Sequence, residues 1–355
     1  MRMVATESSA QRGNVKSELR VLARLMTGKP IFLGFNITNT CNLRCAFCSV
    51  PSLTNRDMTL PEIEHAANRI KELGIPVVGI TGGEPFMRRD LSDIVGIFAQ
   101  RDIQVTITSN GELLSRKRIE ELARHSNILQ FALSLDSLDR ETYARIRGKD
   151  ILPKVLEQFT QARDHGPSTV YKINVVLGPD NVDEVDDFVA FVEASKLYAS
   201  FIPMNIAPGG LHRGKNYDGW GPAGRERVAG AFEHLRALKL AGAPLWDHRD
   251  FYRFAQDYVL GRAMPPCRAG QLFLDLRSDG KLAFCNETDH FIDLLETPKM
   301  SQKLLEEKRK EWFPVLDACR LDGACCYTCS YNITATAHSI PAYVWDYFQL
   351  RYLGA

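Results

Sequence analysis

The chain has 355 residues, 44 Lys and Arg against 43 Asp and Glu, a net charge of +1, and 45% hydrophobic residues. That balance excludes intrinsic disorder, supplies enough apolar residues for a large core and lacks the basic excess that drives nucleic-acid binding. No window approaches the ~20 apolar residues of a membrane span, and the opening MRMVATESSAQRGNVKSE has no apolar signal core, so a cytoplasmic location is expected.

In chain order, the first predicted element is a helix over Val15 to Met26, with Val15, Leu19, Leu22 and Met26 on one face and Lys16, Arg20 and Arg24 off it. Strand-like runs rich in β-branched or aromatic residues follow at Ile31 to Ile37, Val77 to Thr81, Ile103 to Thr108, Leu129 to Leu135, Val170 to Leu177 and Ala199 to Ile206. Stretches with apolar spacing near 3.6 lie between them at Leu60 to Leu73, Leu113 to Arg124 and Val182 to Ala194. Six βα units in succession predict an α/β fold with a parallel sheet closed into a full or partial barrel, its active residues at the carboxyl ends of the strands.

Past Ile206 the pattern changes. Ala207 to Trp220 is Gly-rich and irregular, and helices are predicted at Ala223 to Ala241 and Asp250 to Leu260. A hairpin is expected over Leu272 to Leu276, Ser278-Asp279-Gly280 and Lys281 to Phe284. His212 and His248 fall in the connector, where a general base can sit, although solvated loop histidines are commoner. The expected division is a tail and helix over 1–30, a barrel over 31–210, a helical connector over 211–262 and a C-terminal unit over 263–355.

The nine cysteines are unevenly placed: Cys41, Cys45 and Cys48 near the start, Cys267, Cys285, Cys319, Cys325, Cys326 and Cys329 in the last quarter, and none between. In a reducing compartment they read as metal ligands or catalytic groups before disulfides. Three thiolates on one short loop can hold three corners of an iron–sulfur cube and leave the fourth iron open. Structural zinc would need four closed ligands, and the nearest histidine, His65, lies on a predicted helix.

CxxxCxxC after the first strand, followed by Gly82-Gly83-Glu84-Pro85 after the second, resembles the radical S-adenosylmethionine (SAM) enzymes. Thr108 to Gly111 (TSNG), Ser134 to Ser137 (SLDS) and INVVL with Asn174 extend the resemblance to the third, fourth and fifth strands. It implies a 4Fe-4S cluster on Cys41, Cys45 and Cys48, whose open iron takes the amino and carboxylate groups of SAM. One electron from a flavodoxin- or ferredoxin-type donor then yields a 5′-deoxyadenosyl radical that abstracts a substrate hydrogen.

By the same resemblance Phe47 packs on adenine, and Gly82 and Gly83, with Pro85 closing the turn, let backbone carbonyls approach the methionine ammonium. Glu84 balances that ammonium or braces the loop. Ser109, Asn110, Ser134 and Asn174 offer neutral hydrogen bonds, or cap neighbouring helices. Asp136 and Arg147 form a ligand pair or a surface ion pair.

The later cysteines resemble the SPASM and twitch C-terminal extensions, which carry auxiliary clusters. The full SPASM pattern has seven cysteines; six are present here, which favours one auxiliary 4Fe-4S cluster on Cys267, Cys285, Cys326 and Cys329. Cys319 and Cys325 are left over, as alternative ligands, hydrogen-atom donors or buried residues, and four cysteines also suit zinc.

An auxiliary electron acceptor favours net oxidation of the substrate, with cysteine-mediated epimerisation second. Only about 30 residues precede the first strand, too few for a peptide leader-binding domain, so a sugar or cyclitol is expected before a ribosomal peptide. The first helix and the tail, with Tyr343, Trp345, Tyr347, Phe348 and Tyr352, also suit peripheral membrane contact and a lipid substrate, or simple packing on the barrel. An iron–sulfur electron carrier without SAM chemistry is the non-enzymatic alternative.

Overall fold

The computed structural model describes residues 15–205, 220–285, 288, 290–321 and 331–338. Its first half alternates strand and helix: α1 (Val15–Met26), β1 (Phe32–Asn36), α2 (Leu60–Glu72), β2 (Val77–Thr81), α3 (Leu91–Ala99), β3 (Gln104–Ser109), α4 (Arg116–Leu122), β4 (Ile128–Ser134), α5 (Arg140–Arg147), α6 (Leu152–His165), β5 (Val170–Leu177), α7 (Val185–Ser195) and β6 (Tyr198–Pro203). Then come α8 (Gly221–Leu240), α9 (Arg249–Val259), β7 (Phe273–Leu276), β8 (Lys281–Ala283), β9 (Phe291–Asp293), α10 (Gln302–Leu321) and α11 (Tyr331–His338).

The strands form one sheet in the order β6-β5-β4-β3-β2-β1-β7-β8-β9. β1 to β6 run parallel, and β7 lies parallel to β1 in the register Phe32↔Phe273 to Phe35↔Leu276. The predicted hairpin therefore extends the main sheet on the far side of β1. On the other edge, residues 243–247 run along β6, where the Ala199 N–H donates to Pro244 O at 3.0 Å and the Trp246 N–H to Ala199 O at 2.7 Å.

Period-2 alternation splits the six strands β1 to β6 into two faces. Leu33 and Phe35, Val78 and Ile80, Val105 and Ile107, Phe131 and Leu133, Ile173 and Val175, and Phe201 are buried in one core with helix residues such as Ile63, Phe98, Val155 and Phe188. Edge-to-face rings seal this layer: Phe35 on Phe98 at 6.3 Å, Phe159 on Tyr171 at 6.0 Å and Phe188 on Phe201 at 5.9 Å. Helices thus cover the apolar face of a parallel sheet whose opposite face is polar, the arrangement of a partial barrel with its helices outside.

Two expectations change. In α1 the predicted apolar stripe is not the buried one: Leu19 is 61% and Met26 70% exposed, whereas Leu25 is buried. Arg24 turns inward, donating to Pro30 O at 2.7 Å and Leu73 O at 2.9 Å, and Arg20 donates to Gly74 O at 3.3 Å. Five hydrogen-bond donors per guanidinium outbid aliphatic packing at a rim of free carbonyls. His248 is buried rather than solvated, and its Nδ1 accepts the Asp250 N–H at 3.2 Å as the N-cap of α9. His212 and the aromatic tail lie outside the described residues. Among the described residues no helix is long and apolar enough to cross a membrane.

Candidate functional site

The segment between β1 and α2 carries the first three cysteines and holds only one short 3-10 turn, Val50–Ser52. Its shape is imposed by its neighbours. The Cys48 N–H donates to Cys45 O at 3.1 Å, and the Ala46 N–H to Ile146 O at 2.8 Å at the end of α5. Gly148 follows with φ +76, and a Cβ there would stand 2.7 Å from Arg44 O, so only glycine both ends α5 and admits the cysteine segment.

Donors point at the sulfurs. The Leu43 N–H lies 3.4 Å and Asn110 Nδ2 3.8 Å from Cys41 Sγ, and Arg147 Nη1 lies 3.7 Å from Cys45 Sγ. Burial pushes the Cys41 thiol pKa up, the Leu43 N–H opposes this, and Glu84 adds to it. N–H groups and a guanidinium around the sulfurs are the donors that a cluster's thiolate ligands need, so the donor set fits a Cys-ligated cluster. Among the described residues no three His, Cys, Asp or Glu side chains group as a single-ion site.

The Gly82-Gly83-Glu84 turn zips onto this segment. The Gly83 N–H donates to Thr38 O at 2.7 Å and the Glu84 N–H to Thr40 O at 2.9 Å. A Cβ on Gly82, at φ +139, would meet Thr38 O at 2.4 Å, and one on Gly83 would meet Thr40 O at 2.2 Å. The glycines are required by this close approach of two backbones. Pro85 is buried and opens the 3-10 turn Pro85–Met87.

Glu84 is buried and braces the site. Its Oε1 accepts the Phe86 N–H at 3.0 Å and the Ser109 hydroxyl at 2.9 Å, and its Oε2 accepts the Asn110 N–H at 2.7 Å. Burial pushes its pKa up against these three donors. The Ser109 hydroxyl, which also accepts the Gly111 N–H at 3.0 Å, is thus occupied by protein. Asn110 turns its amide to Asn42 Oδ1 at 2.9 Å as well as to Cys41.

Asp136 and Arg147 are a buried ion pair, not a surface one: Arg147 Nε stands 2.7 Å from Asp136 Oδ2, with side chains 6% and 0% exposed. Asp136 Oδ1 accepts the Val176 N–H at 2.8 Å. Burial alone would lower the Arg147 pKa, but Asp136 and then Cys45 outweigh it and hold the guanidinium protonated. The guanidinium also lies 5.8 Å from the Phe47 ring centroid, which joins Phe47 to the same cluster of side chains.

Ser134 and Asn174 sit side by side. The strand registers align Ser134, at the carboxyl end of β4, with Asn174 and Asn174 with Ser200 on the face away from the helices. Asn174 Oδ1 is buried with no hydrogen-bond partner. The same face carries Asn36, Thr81, Thr106, Thr108 and Gln130. Two strand residues on it are cations: Lys172, 5.3 Å from the Trp246 ring and within electrostatic reach of Asp247, and Lys281 of β8, paired with Asp279.

Sequence reasoning missed the residues that hold the cysteine segment by its sides. Buried Glu112 accepts from Asn42 Nδ2 at 2.5 Å and pairs with Lys149. Asn39 reaches Ser278. The only local signal was position: Glu112 directly follows TSNG, and Asn39 and Asn42 flank Cys41.

Of the second group, Cys267 and Cys285 are half-buried against one apolar cluster that includes Ile333 and Ala337 of α11. The Arg268 N–H donates to Thr334 Oγ1 at 3.1 Å. Cys325, Cys326 and Cys329 lie outside the described residues, as does the side chain of Cys319 in α10.

Residues 35–192 match the radical SAM superfamily. The chain carries a radical SAM domain. A GTP 3′,8-cyclase from Peptoclostridium acidaminophilum is 33% identical over 180 residues, 49% of this chain and 55% of that protein, so the match spans about half the length of this curated relative. The fold of the radical SAM domain and its extension resembles Streptococcus suis SuiB bound to S-adenosylmethionine, with TM-score 0.61 and 20% identity over 82% of this chain and 69% of that one. It also resembles anSMEcpe with bound AdoMet, with TM-score 0.60 and 16% identity over 89% of this chain and 98% of that one.

Proposed function

We propose that the protein is a SPASM- or twitch-type radical SAM oxidoreductase. Cys41, Cys45 and Cys48 would hold a 4Fe-4S cluster that binds SAM, and the substrate would be a small neutral polar intermediate such as a sugar or cyclitol. When bound, the cluster and SAM supply hydrogen abstraction by a carbon radical, and an auxiliary 4Fe-4S cluster supplies an acceptor for the electron left on the substrate. The observation that carries the reading is the set of N–H donors aimed at the sulfurs of Cys41 and Cys45 beside an open row of strand-end polar groups.

The chain's own residues divide the work. Glu84 and Ser109 fix the turn, and Gly82 and Gly83 let it dock on the cysteine segment. Asn110 and Arg147 stabilise thiolate charge, and Asp136 keeps Arg147 in place. Phe47 offers its ring to adenine, while Ser134 and the unpartnered Asn174 Oδ1 offer hydrogen bonds to ribose hydroxyls and the ammonium. Cys267 and Cys285, with α11 packed beside them, support an auxiliary site completed by Cys326 and Cys329. A neutral polyol suits a face rich in amides and hydroxyls, whose two strand cations, Lys172 and Lys281, already lie beside Asp247 and Asp279; a triphosphate would need several more.

Anaerobic reconstitution should give about eight irons per chain, with 5′-deoxyadenosine released on dithionite reduction. Cys→Ala at 41, 45 and 48 should abolish release, whereas Cys267→Ala with Cys285→Ala should halve the iron and retain it. Release that survives loss of the first three cysteines overturns the assignment.

A further inference from the structure

The turn joining β7 to β8 reaches back onto the segment that bears the first three cysteines. Ser278 is buried there: its hydroxyl donates to Arg56 O at 3.0 Å and accepts from Asn39 Nδ2 at 3.2 Å, and its carbonyl accepts the Met58 N–H at 2.8 Å. Asp279 Oδ2 accepts from Asn55 Nδ2 at 2.8 Å. The anchor points bracket the thiols. Asn39 stands two residues before Cys41, and its Oδ1 accepts from Asn36 at the end of β1; Asn55 and Met58 lie just before α2. With so little regular structure of its own, the segment takes its conformation from such contacts.

We propose that Ser278 and Asp279 are positioning residues for the Cys41–Cys48 loop, so that the hairpin flanked by Cys267 and Cys285 governs how firmly the first cluster is held. Neither residue touches a thiol in the structure; each acts through the backbone and the asparagines around the loop. The inference rests on the reading that Cys41, Cys45 and Cys48 ligate that cluster. Outer-shell partners of metal ligands are worth roughly 10- to 100-fold in metal retention, and the loss should fall in that range.

The test uses the anaerobically reconstituted full chain. The readout is the EPR signal of the reduced cluster that shifts on adding SAM, followed over time with an iron chelator. Ser278→Ala with Asp279→Asn should lose this signal about tenfold faster than the parent, and Ser278→Thr, which keeps the hydroxyl, should retain it. Asn39→Ala approaches the contact from the other side; combined with Ser278→Ala it should add little beyond either change alone. Circular dichroism identifies variants that retain the fold. Folded variants that keep the signal as long as the parent overturn this proposal alone, whereas a parent with no SAM-responsive signal overturns the cluster assignment and this proposal with it.

Discussion

The Arg147 guanidinium joins Asp136 to Cys45: Nε stands 2.7 Å from the carboxylate and Nη1 3.7 Å from the sulfur, all three groups buried. Asp136→Asn leaves a buried cation without its main counter-charge. The expected cost is about 3–5 kcal/mol in denaturant unfolding, and replacing both partners by apolar residues should recover most of it.

Asn174→Ala removes an orphaned acceptor and breaks no protein hydrogen bond made by that oxygen. Stability should be nearly unchanged, while SAM binding, measured by anaerobic calorimetry on iron-replete protein, should weaken about tenfold, the equivalent of one hydrogen bond to a charged group. An unchanged affinity would exclude Asn174 from the SAM site.

Gly83→Ala places a Cβ 2.2 Å from Thr40 O. Because backbone faces backbone, neither side can yield cheaply, and the variant should lose stability by about 1–3 kcal/mol in denaturant melts. It should also retain less iron after desalting, since Thr40 adjoins Cys41.

The Tyr143 hydroxyl is fully buried without a hydrogen-bond partner, and burial pushes its pKa to about 12. Tyr143→Phe should therefore be neutral or stabilising by about 1 kcal/mol at neutral pH. The wild type keeps this group's contribution below pH ~10, the unfolded value, and loses it as pH rises toward ~12. Denaturant midpoints measured across that window should fall less steeply in the variant.

β2 and β5 were legible to the residue because runs rich in β-branched residues end at Gly or turn signals. α5 and α6 were not identified: RETYARIR presents only two apolar side chains to the core and is held by its Asp139 cap and Gly148 end. Among site residues, the cysteine spacing and strand-end motifs were visible as local strings. Bracing of the loop by Glu84 was one of two roles legible there, but its partner Ser109 was not, because the three donors the carboxylate collects come from two separate turns. Ser278 was invisible for the same reason, its partners lying more than 200 residues away in sequence.

The parallel pairing of β7 with β1 also orders events during synthesis. Once β1 has left the ribosome, one of its edges has no partner until residues 273–276 follow, roughly ten to fifty seconds later at ~5–20 residues per second. Throughout that interval the nascent chain presents an open strand edge and three thiols together. The last of the parallel strands to join the sheet is thus the one that ends the exposure of the β1 edge to mispairing.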